Sequence, residues 1–129
     1  MNNTNKIKSF TDLVAWQKAH ELTVLVYKVT KDFPKEETYA LTDQMRRSAS
    51  SVSANIAEGF GRQGYKEKVH FYYNSQGSLT ELKDHLLTTR DVNYMDLDNF
   101  NKLALKANEA HKLLQGLIRK SKSFLSPKS

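Results

Sequence analysis

Residues 15–34 read AWQKAHELTVLVYKVTKDFP, and this stretch decides the fold class. Its apolar residues recur at steps of 4, 3, 4, 3 and 4 positions, which is the spacing of one face of an α-helix. The residues of this stripe are Ala15, Ala19, Leu22, Val26, Val29 and Phe33. Pro34 ends the helix, because proline lacks an amide donor and disfavours helical backbone at the residue before it. The spacing predicts a helix over 12–33 that buries one face.

Three further segments show the same period and predict helices over 36–59, 65–92 and 97–121. Asp96 is a suitable N-cap for the last of them. The chain has only five glycines and no proline between Pro34 and Pro127, whereas sheet proteins place turn residues more often. The sequence therefore predicts an all-α protein, an antiparallel up-down-up-down four-helix bundle. We expect the bundle to span residues 11–121, with flexible ends at 1–10 and 122–129.

Two features bear on how closely the helices approach one another. Residues 48–54 read SASSVSA, and such small side chains permit close approach of a neighbouring helix. The stripe predicted for the third helix is Val69, Tyr72, Gln76, Leu79, Leu82 and Leu86. Gly77 lies within this helix, where glycine costs about 1 kcal/mol relative to alanine. Its presence predicts tight packing at that position.

The composition excludes several classes of protein. With 129 residues and a hydrophobic fraction of 39%, the chain suits one domain with a modest core. It contains no cysteine, which excludes a disulfide framework and a thiolate metal site. No apolar run is longer than the four residues of Val24–Tyr27, far short of the roughly 20 residues of a membrane span. We expect a cytoplasmic protein without membrane association or cofactor.

A di-metal site in a helical bundle requires two Glu-x-x-His motifs and two further glutamates. Glu67 and His70 form the only such motif in this sequence. Glu81 and His85 are four residues apart and offer at most a weak pair of ligands. We therefore predict no metal site.

Nuclease and phosphate-loop motifs are also incomplete. Arg62 and His70 resemble the Arg–His pair of small helical toxin nucleases, but the interval between them is too long. Gly59, Gly61 and Gly64 have the GxGxxG spacing, yet they follow a predicted helix, whereas a dinucleotide-binding loop follows a strand. We predict that the protein is not an enzyme; an RNA-processing nuclease is a less favoured alternative.

The charge balance points to a polyanionic partner. Lys and Arg total 20 against 14 Asp and Glu, which gives a net charge of +6. The positive charges form three clusters: Arg46 and Arg47; Arg62, Lys66 and Lys68; and Lys112, Arg119, Lys120, Lys122 and Lys128. No acidic residue follows Ala110, so the third cluster carries its charge uncancelled in sequence. Aromatic residues that could stack on bases, including Tyr65 and Tyr73, neighbour the middle cluster. These features predict binding of RNA or DNA, although individual lysines could serve only as a solvated surface.

Several motifs together resemble a known family. They are Phe10-x-Asp12-Leu13-x-Ala15-Trp16, Phe33-Pro34-x-x-Glu37, Gln44-x-Arg46-Arg47-Ser48, Asn55-Ile56-Ala57-Glu58-Gly59 and Gly77-Ser78-Leu79-x-Glu81-Leu82. Between residue 10 and about residue 118 the chain resembles the small bacterial four-helix-bundle proteins, also called 23S rRNA intervening-sequence proteins. The resemblance implies an antiparallel bundle that assembles as a ring-shaped homopentamer, with no established catalytic activity. A related branch of that family, the accessory proteins of diversity-generating retroelements, binds nucleic acid and a reverse transcriptase.

The motif residues suggest a structural polar network. Asn55 and Glu58 share one helical face, and Ser78 and Glu81 share another. Polar groups buried between helices need partners, so we expect these four residues to interact between helices or subunits. Arg46 and Arg47 could join this network through Glu58 or Glu81, or they could contact nucleic acid.

Apolar surface in the sequence bears on assembly and on a scaffolding role. Trp16, Phe60 and Tyr73 carry more apolar surface than a small four-helix core readily covers, which favours a homo-oligomer. The alternative to nucleic-acid binding is a protein–protein scaffold that docks a partner such as a polymerase or reverse transcriptase.

Overall fold

A computed structural model describes residues 6–125 of the chain as a bundle of four helices. They are α1 (Val14–Thr30), α2 (Leu41–Phe60), α3 (Tyr65–Asp91) and α4 (Leu97–Lys122). Each helix packs against the next, α1 also packs against α4, and no strand occurs within the described range. The predicted antiparallel up-down-up-down bundle is thus confirmed. Residues 1–5 and 126–129, including Lys128, lie outside the described residues.

The core contains the predicted stripe of α1, although the helix is shorter than the pattern indicated. All six stripe residues are buried. Helix α1 ends at Thr30, three residues before Phe33, because Pro34 disfavours helical backbone at Phe33 and the chain turns there. In that turn the Phe33 amide donates to the Thr30 carbonyl at 3.1 Å. Phe33 nevertheless stays buried and packs against the ring of Tyr94 at 5.9 Å.

Helix α2 begins at Leu41, later than the predicted start at residue 36, because Lys35–Glu37 forms a separate 3₁₀ turn. The Glu37 carboxylate accepts a hydrogen bond from the Leu41 amide at 3.3 Å, which satisfies one of the free donors at the helix start. It also accepts the Tyr94 hydroxyl at 3.0 Å, and this bond raises the pKa of Tyr94. Glu37 therefore joins the start of α2 to the α3–α4 connection.

The small residues of α2 allow close helix approach, as predicted. The Thr23 hydroxyl of α1 donates to the carbonyl of Ala49 at 3.0 Å. On the other side, the Ser75 hydroxyl of α3 donates to the carbonyl of Val52 at 2.6 Å. A side chain as short as serine reaches a neighbouring helix backbone only where no bulky residue intervenes. Ser75 is fully buried, whereas Gln76, which the predicted stripe placed in the core, is only half-buried.

The tight glycine of the bundle is Gly59, and the prediction for Gly77 was wrong. A Cβ at Gly59 would lie 2.7 Å from Cε1 of Tyr72 and 3.0 Å from Cβ of Phe71. A Cβ at Gly77 would meet no atom within 4 Å. The Tyr72 ring fills the space beside Gly59, and burial raises the pKa of its hydroxyl to about 12.

The α3–α4 connection has well-defined caps on both sides. Asn93 adopts a φ of 63°, and the Tyr94 amide donates back to the Thr89 carbonyl at 3.0 Å, the pattern that closes a helix C-terminus. Asp96 then caps α4 by accepting the Asn99 amide at 2.7 Å, as predicted. These caps fix the turn that directs α4 back along α3.

Candidate nucleic-acid interface

Four cations project from the C-terminal half of α4: Lys112, Arg119, Lys120 and Lys122, hereafter the α4 cluster. All four are exposed. Within residues 6–125 none of them forms an ion pair. Arg119, Lys120 and Lys122 occupy the last turn of α4, where positive charge also complements the helix dipole. The α4 cluster is therefore a region of positive charge without local neutralisation in the described chain.

An open groove of about 450 Å³ between α3 and α4 runs beside this cluster. It is lined by Tyr73, Gln76, Gln115, Ile118, Arg119 and Lys122. The ammonium of Lys122 donates to the Tyr73 hydroxyl at 3.2 Å and lies 5.8 Å from the centre of the ring. Sequence proximity associated Tyr73 with the middle basic cluster, but the fold places it against the α4 cluster. The sequence placed Gln76 in the core stripe and did not point to Gln115, because the groove that both residues line arises only when the two helices pack together.

Lys120 faces a second, smaller cavity on the other side of α4. This cavity of about 200 Å³ is lined largely by apolar and aromatic side chains, with Lys68 and Lys120 at its edge. The Lys68 ammonium donates to the carbonyl of Phe60 at 2.7 Å, and burial lowers its pKa. Lys68 thereby satisfies a carbonyl at the C-terminus of α2. Its charge is engaged within the fold and is less accessible to a ligand than that of Lys120.

The rest of the middle cluster is partly neutralised. The Arg62 guanidinium lies 3.0 Å from the carboxylate of Glu58 and 3.8 Å from that of Glu67. It also lies over the ring of Phe71, 4.6 Å from its centre. Lys66 is exposed. In the described part of the chain, the side chains of Arg62 and Lys68 contact carboxylate or carbonyl groups. The side chain of Lys66 makes no such contact within residues 6–125.

Arg46 and Arg47 have different surroundings. Nε of Arg46 donates to the Thr30 hydroxyl at 2.9 Å, and the guanidinium lies over the Tyr27 ring at 4.8 Å. Arg46 therefore holds the end of α1 against α2. The side chain of Arg47 is 80% exposed and has a 4.0 Å contact with Asp43. The described contacts connect neither arginine to Glu58 or Glu81, so the structure does not show the proposed link to the polar network.

The structure brings together two of the four residues proposed for that network. The amide of Asn55 donates to the carbonyl of Ser51 at 2.9 Å and to its hydroxyl at 3.0 Å. The Ser78 hydroxyl of α3 donates to the same Ser51 hydroxyl at 2.9 Å. Ser51, which was not singled out from the sequence, is the centre of this α2–α3 contact. Glu58 instead pairs with Arg62, and Glu81 lies 3.2 Å from His85.

The residues considered for metal or nuclease chemistry, Arg62 and His70 among them, have other neighbours in the described part of the chain. His70 lies edge-on to Phe71, and its ring is 3.5 Å from the Asn74 amide. Arg62 is engaged by carboxylates. No group of three or more His, Asp or Glu side chains in residues 6–125 is arranged to hold a metal ion. Over the same residues, no helix is both long enough and apolar enough to span a bilayer.

The family model of the 23S rRNA-intervening sequence proteins matches residues 11–116. The chain belongs to this family. A solved structure from Bacteroides thetaiotaomicron, described as a protein of unknown function from the S23 ribosomal protein family, superimposes with a TM-score of 0.73 at 21% identity. The match covers 81% of this chain and 98% of that one, and at this identity it supports the fold alone. No curated protein matches this chain.

Proposed function

We propose that this member of the 23S rRNA-intervening sequence family is a non-enzymatic protein that binds RNA or DNA through the α4 cluster. The observation that carries the proposal is the concentration of charge in the α4 cluster, in which Arg119, Lys120 and Lys122 share the last turn of α4 and no acidic residue follows Glu109 in the sequence. Arg47, Arg62 and Arg90 each lie beside a carboxylate, whereas the α4 cluster forms no ion pair within residues 6–125. Unneutralised like charges attract polyanions over distances of about 8 Å at physiological ionic strength.

The long axis of the bundle places this charge at one end. Lys106 pairs with Glu21 at 3.3 Å and Lys18 approaches Glu109 at 4.0 Å, so α1 and α4 run antiparallel. The last turn of α4 therefore lies at the end of the bundle where α1 begins. The lysines at the end of α1, Lys28 and Lys31, lie at the opposite end together with Lys35 of the following turn.

The test is the triple variant R119Q/K120Q/K122Q, assayed by fluorescence anisotropy with a labelled RNA and a DNA of mixed sequence across a salt series. Each lost phosphate contact reduces the slope of log K against log salt by about 0.7 on single strands and about 0.9 on duplex DNA. We expect weaker binding to every sequence and a shallower slope, because phosphate contacts carry no sequence information.

The matched control is K28Q/K31Q/K35Q, which removes the same charge from three exposed lysines at the opposite end. We expect this control variant to retain most of the wild-type affinity for nucleic acid. Both triple variants should have the far-ultraviolet circular dichroism spectrum of the wild type. Equal losses in the two variants would show that net charge alone governs binding. Unchanged affinity in the α4 variant would disprove the role of the α4 cluster.

A second candidate, a homo-oligomer or protein scaffold, is supported by apolar surface on α4. Leu97 and Leu105 are 64% and 73% exposed. Of the three aromatic residues predicted to favour assembly, two are less available, since Trp16 stacks on His20 at 4.8 Å and Phe60 is half-buried beneath Lys68. The third, Tyr73, is 44% exposed. An apolar protein contact would show little salt dependence, and this distinguishes scaffolding from nucleic-acid binding.

A further inference from the structure

We infer that the α3–α4 groove binds an unpaired nucleotide, with a base stacked on Tyr73 and the adjoining phosphates held by Arg119 and Lys122. This inference rests on the proposed function and narrows its ligand to single-stranded nucleic acid. It depends on the groove as assembled by two helices, because neither helix alone combines the aromatic ring with the cations.

The Tyr73 ring is available for stacking. Its side chain is 44% exposed, and Lys122 of α4 is its charged neighbour at the groove wall. A lone exposed tyrosine on a helix would be unremarkable, but this one lines a concavity between two helices. A flat ring at the wall of a groove offers one face to a base, and such stacking tolerates any base because every base has a π-face.

The polar groups around the ring suit the other parts of a nucleotide. Arg119 and Lys122 supply donors for phosphate oxygens. Gln76 and Gln115 each carry an amide that can both donate and accept, which matches the mixed edges of bases. The groove lining contains no carboxylate, so nothing in it repels a phosphate. Its volume of about 450 Å³ lies in the usual range of small-ligand sites, about 300–1,000 Å³.

The same features favour a single strand over a duplex. In a duplex the bases are stacked on one another, so Tyr73 could reach a base face only by disrupting the helix. A duplex would still be attracted to the α4 cluster through its phosphates. We therefore expect Tyr73 to contribute to single-strand binding and to contribute little to duplex binding.

The experiment compares Tyr73→Ala and Tyr73→Phe with the wild type on poly(U), oligo(dT) and a duplex of the same length. Loss of one base stack should weaken single-strand binding by about 5- to 150-fold in Tyr73→Ala. Tyr73→Phe keeps the ring and loses only the hydroxyl contact to Lys122, so its affinity should stay near that of the wild type. An oligonucleotide containing 2-aminopurine should show quenched fluorescence on binding the wild type and Tyr73→Phe, and less quenching with Tyr73→Ala.

The salt slope separates this inference from the proposed function. Stacking involves no counterion release, so Tyr73→Ala should keep the slope of the wild type, whereas R119Q/K120Q/K122Q should reduce it. The matched control is Tyr39→Ala, a tyrosine that is 95% exposed and precedes α2 at the other end of the bundle. If Tyr73→Ala binds single strands as tightly as Tyr39→Ala while the α4 variant binds weakly, the stacking inference is wrong and the proposed function stands. If the wild type binds no nucleic acid at low salt, both are wrong.

Discussion

Gly59 and Gly77 both lie inside helices, but their surroundings differ. A methyl group at Gly59 would collide with the buried Tyr72 ring, whereas one at Gly77 would enter open space. We expect Gly59→Ala to lower the free energy of unfolding by up to about 2 kcal/mol, because overpacking costs about 1–3 kcal/mol and the gain in helix propensity offsets about 1 kcal/mol of it. Gly77→Ala should raise the free energy of unfolding by about 0.5–1 kcal/mol, since only the propensity gain applies.

Urea unfolding followed by circular dichroism measures both changes, and each glycine variant serves as the control for the other. A stable Gly59→Ala protein would mean that Tyr72 can shift at little cost. Destabilisation by Gly77→Ala would indicate that another molecule covers this face of α3. The two glycine variants therefore also test whether α3 packs against another molecule.

The contact between α3 and α4 includes a titratable pair, Lys83 and His111. Nζ of Lys83 lies 2.6 Å from Nδ1 of His111. A charged ammonium can only donate, so Nδ1 accepts this hydrogen bond when Lys83 is protonated and His111 is neutral. Burial and the neighbouring ammonium lower the pKa of His111 below its ordinary value of 6.5. Because His111 binds a proton more readily in the unfolded chain than in the folded one, the Lys83–His111 contact makes its full contribution to stability above about pH 6.5. That contribution is lost as the pH falls through the folded pKa.

We expect a titration of His111 by nuclear magnetic resonance to give a pKa below 6.5 in the wild type. In Lys83→Met the pKa should move upward, because the nearby positive charge is absent. Unfolding by urea should show that His111→Gln reduces the loss of stability on going from pH 7 to pH 5. Identical His111 titration curves in the wild type and Lys83→Met would contradict the assigned role of Lys83.

For the quaternary structure, we expect self-association, because Leu97 and Leu105 expose apolar surface on α4. Sedimentation velocity at micromolar concentration should give a species larger than the 14.8 kDa chain. The family resemblance suggests five copies, which would repeat the α4 cluster around an axis and strengthen weak phosphate contacts through multivalency. The double variant L97Q/L105Q should sediment more slowly while its helix content is unchanged. A monomeric wild type would contradict this expectation.

Local rules account for the parts of the fold that the sequence predicted well. The helical period of 3.6 residues sets which side chains share a face, so the buried stripe of α1 was readable residue by residue. The Asp96 cap was equally readable, because an N-cap depends on a few neighbouring residues. Helix ends were less accurate: the 3₁₀ turn at Lys35–Glu37 and an α-helical start have similar local sequences.

The amino-acid sequence by itself determined the number of helices, their buried faces and the excess of positive charge. Only the tertiary structure decided that Gly59 and not Gly77 is tightly packed, that Arg62 is neutralised by Glu58, and that Tyr73 meets Lys122. The physical reason is distance along the chain. Periodicity and capping act over one or two helical turns, whereas close packing, charge pairing and the α3–α4 groove depend on side chains brought together from separate helices. The candidate site also depends on the tertiary structure. The cations of the α4 cluster are close together in the sequence, but Tyr73, the aromatic residue beside them, lies 49 residues before Lys122.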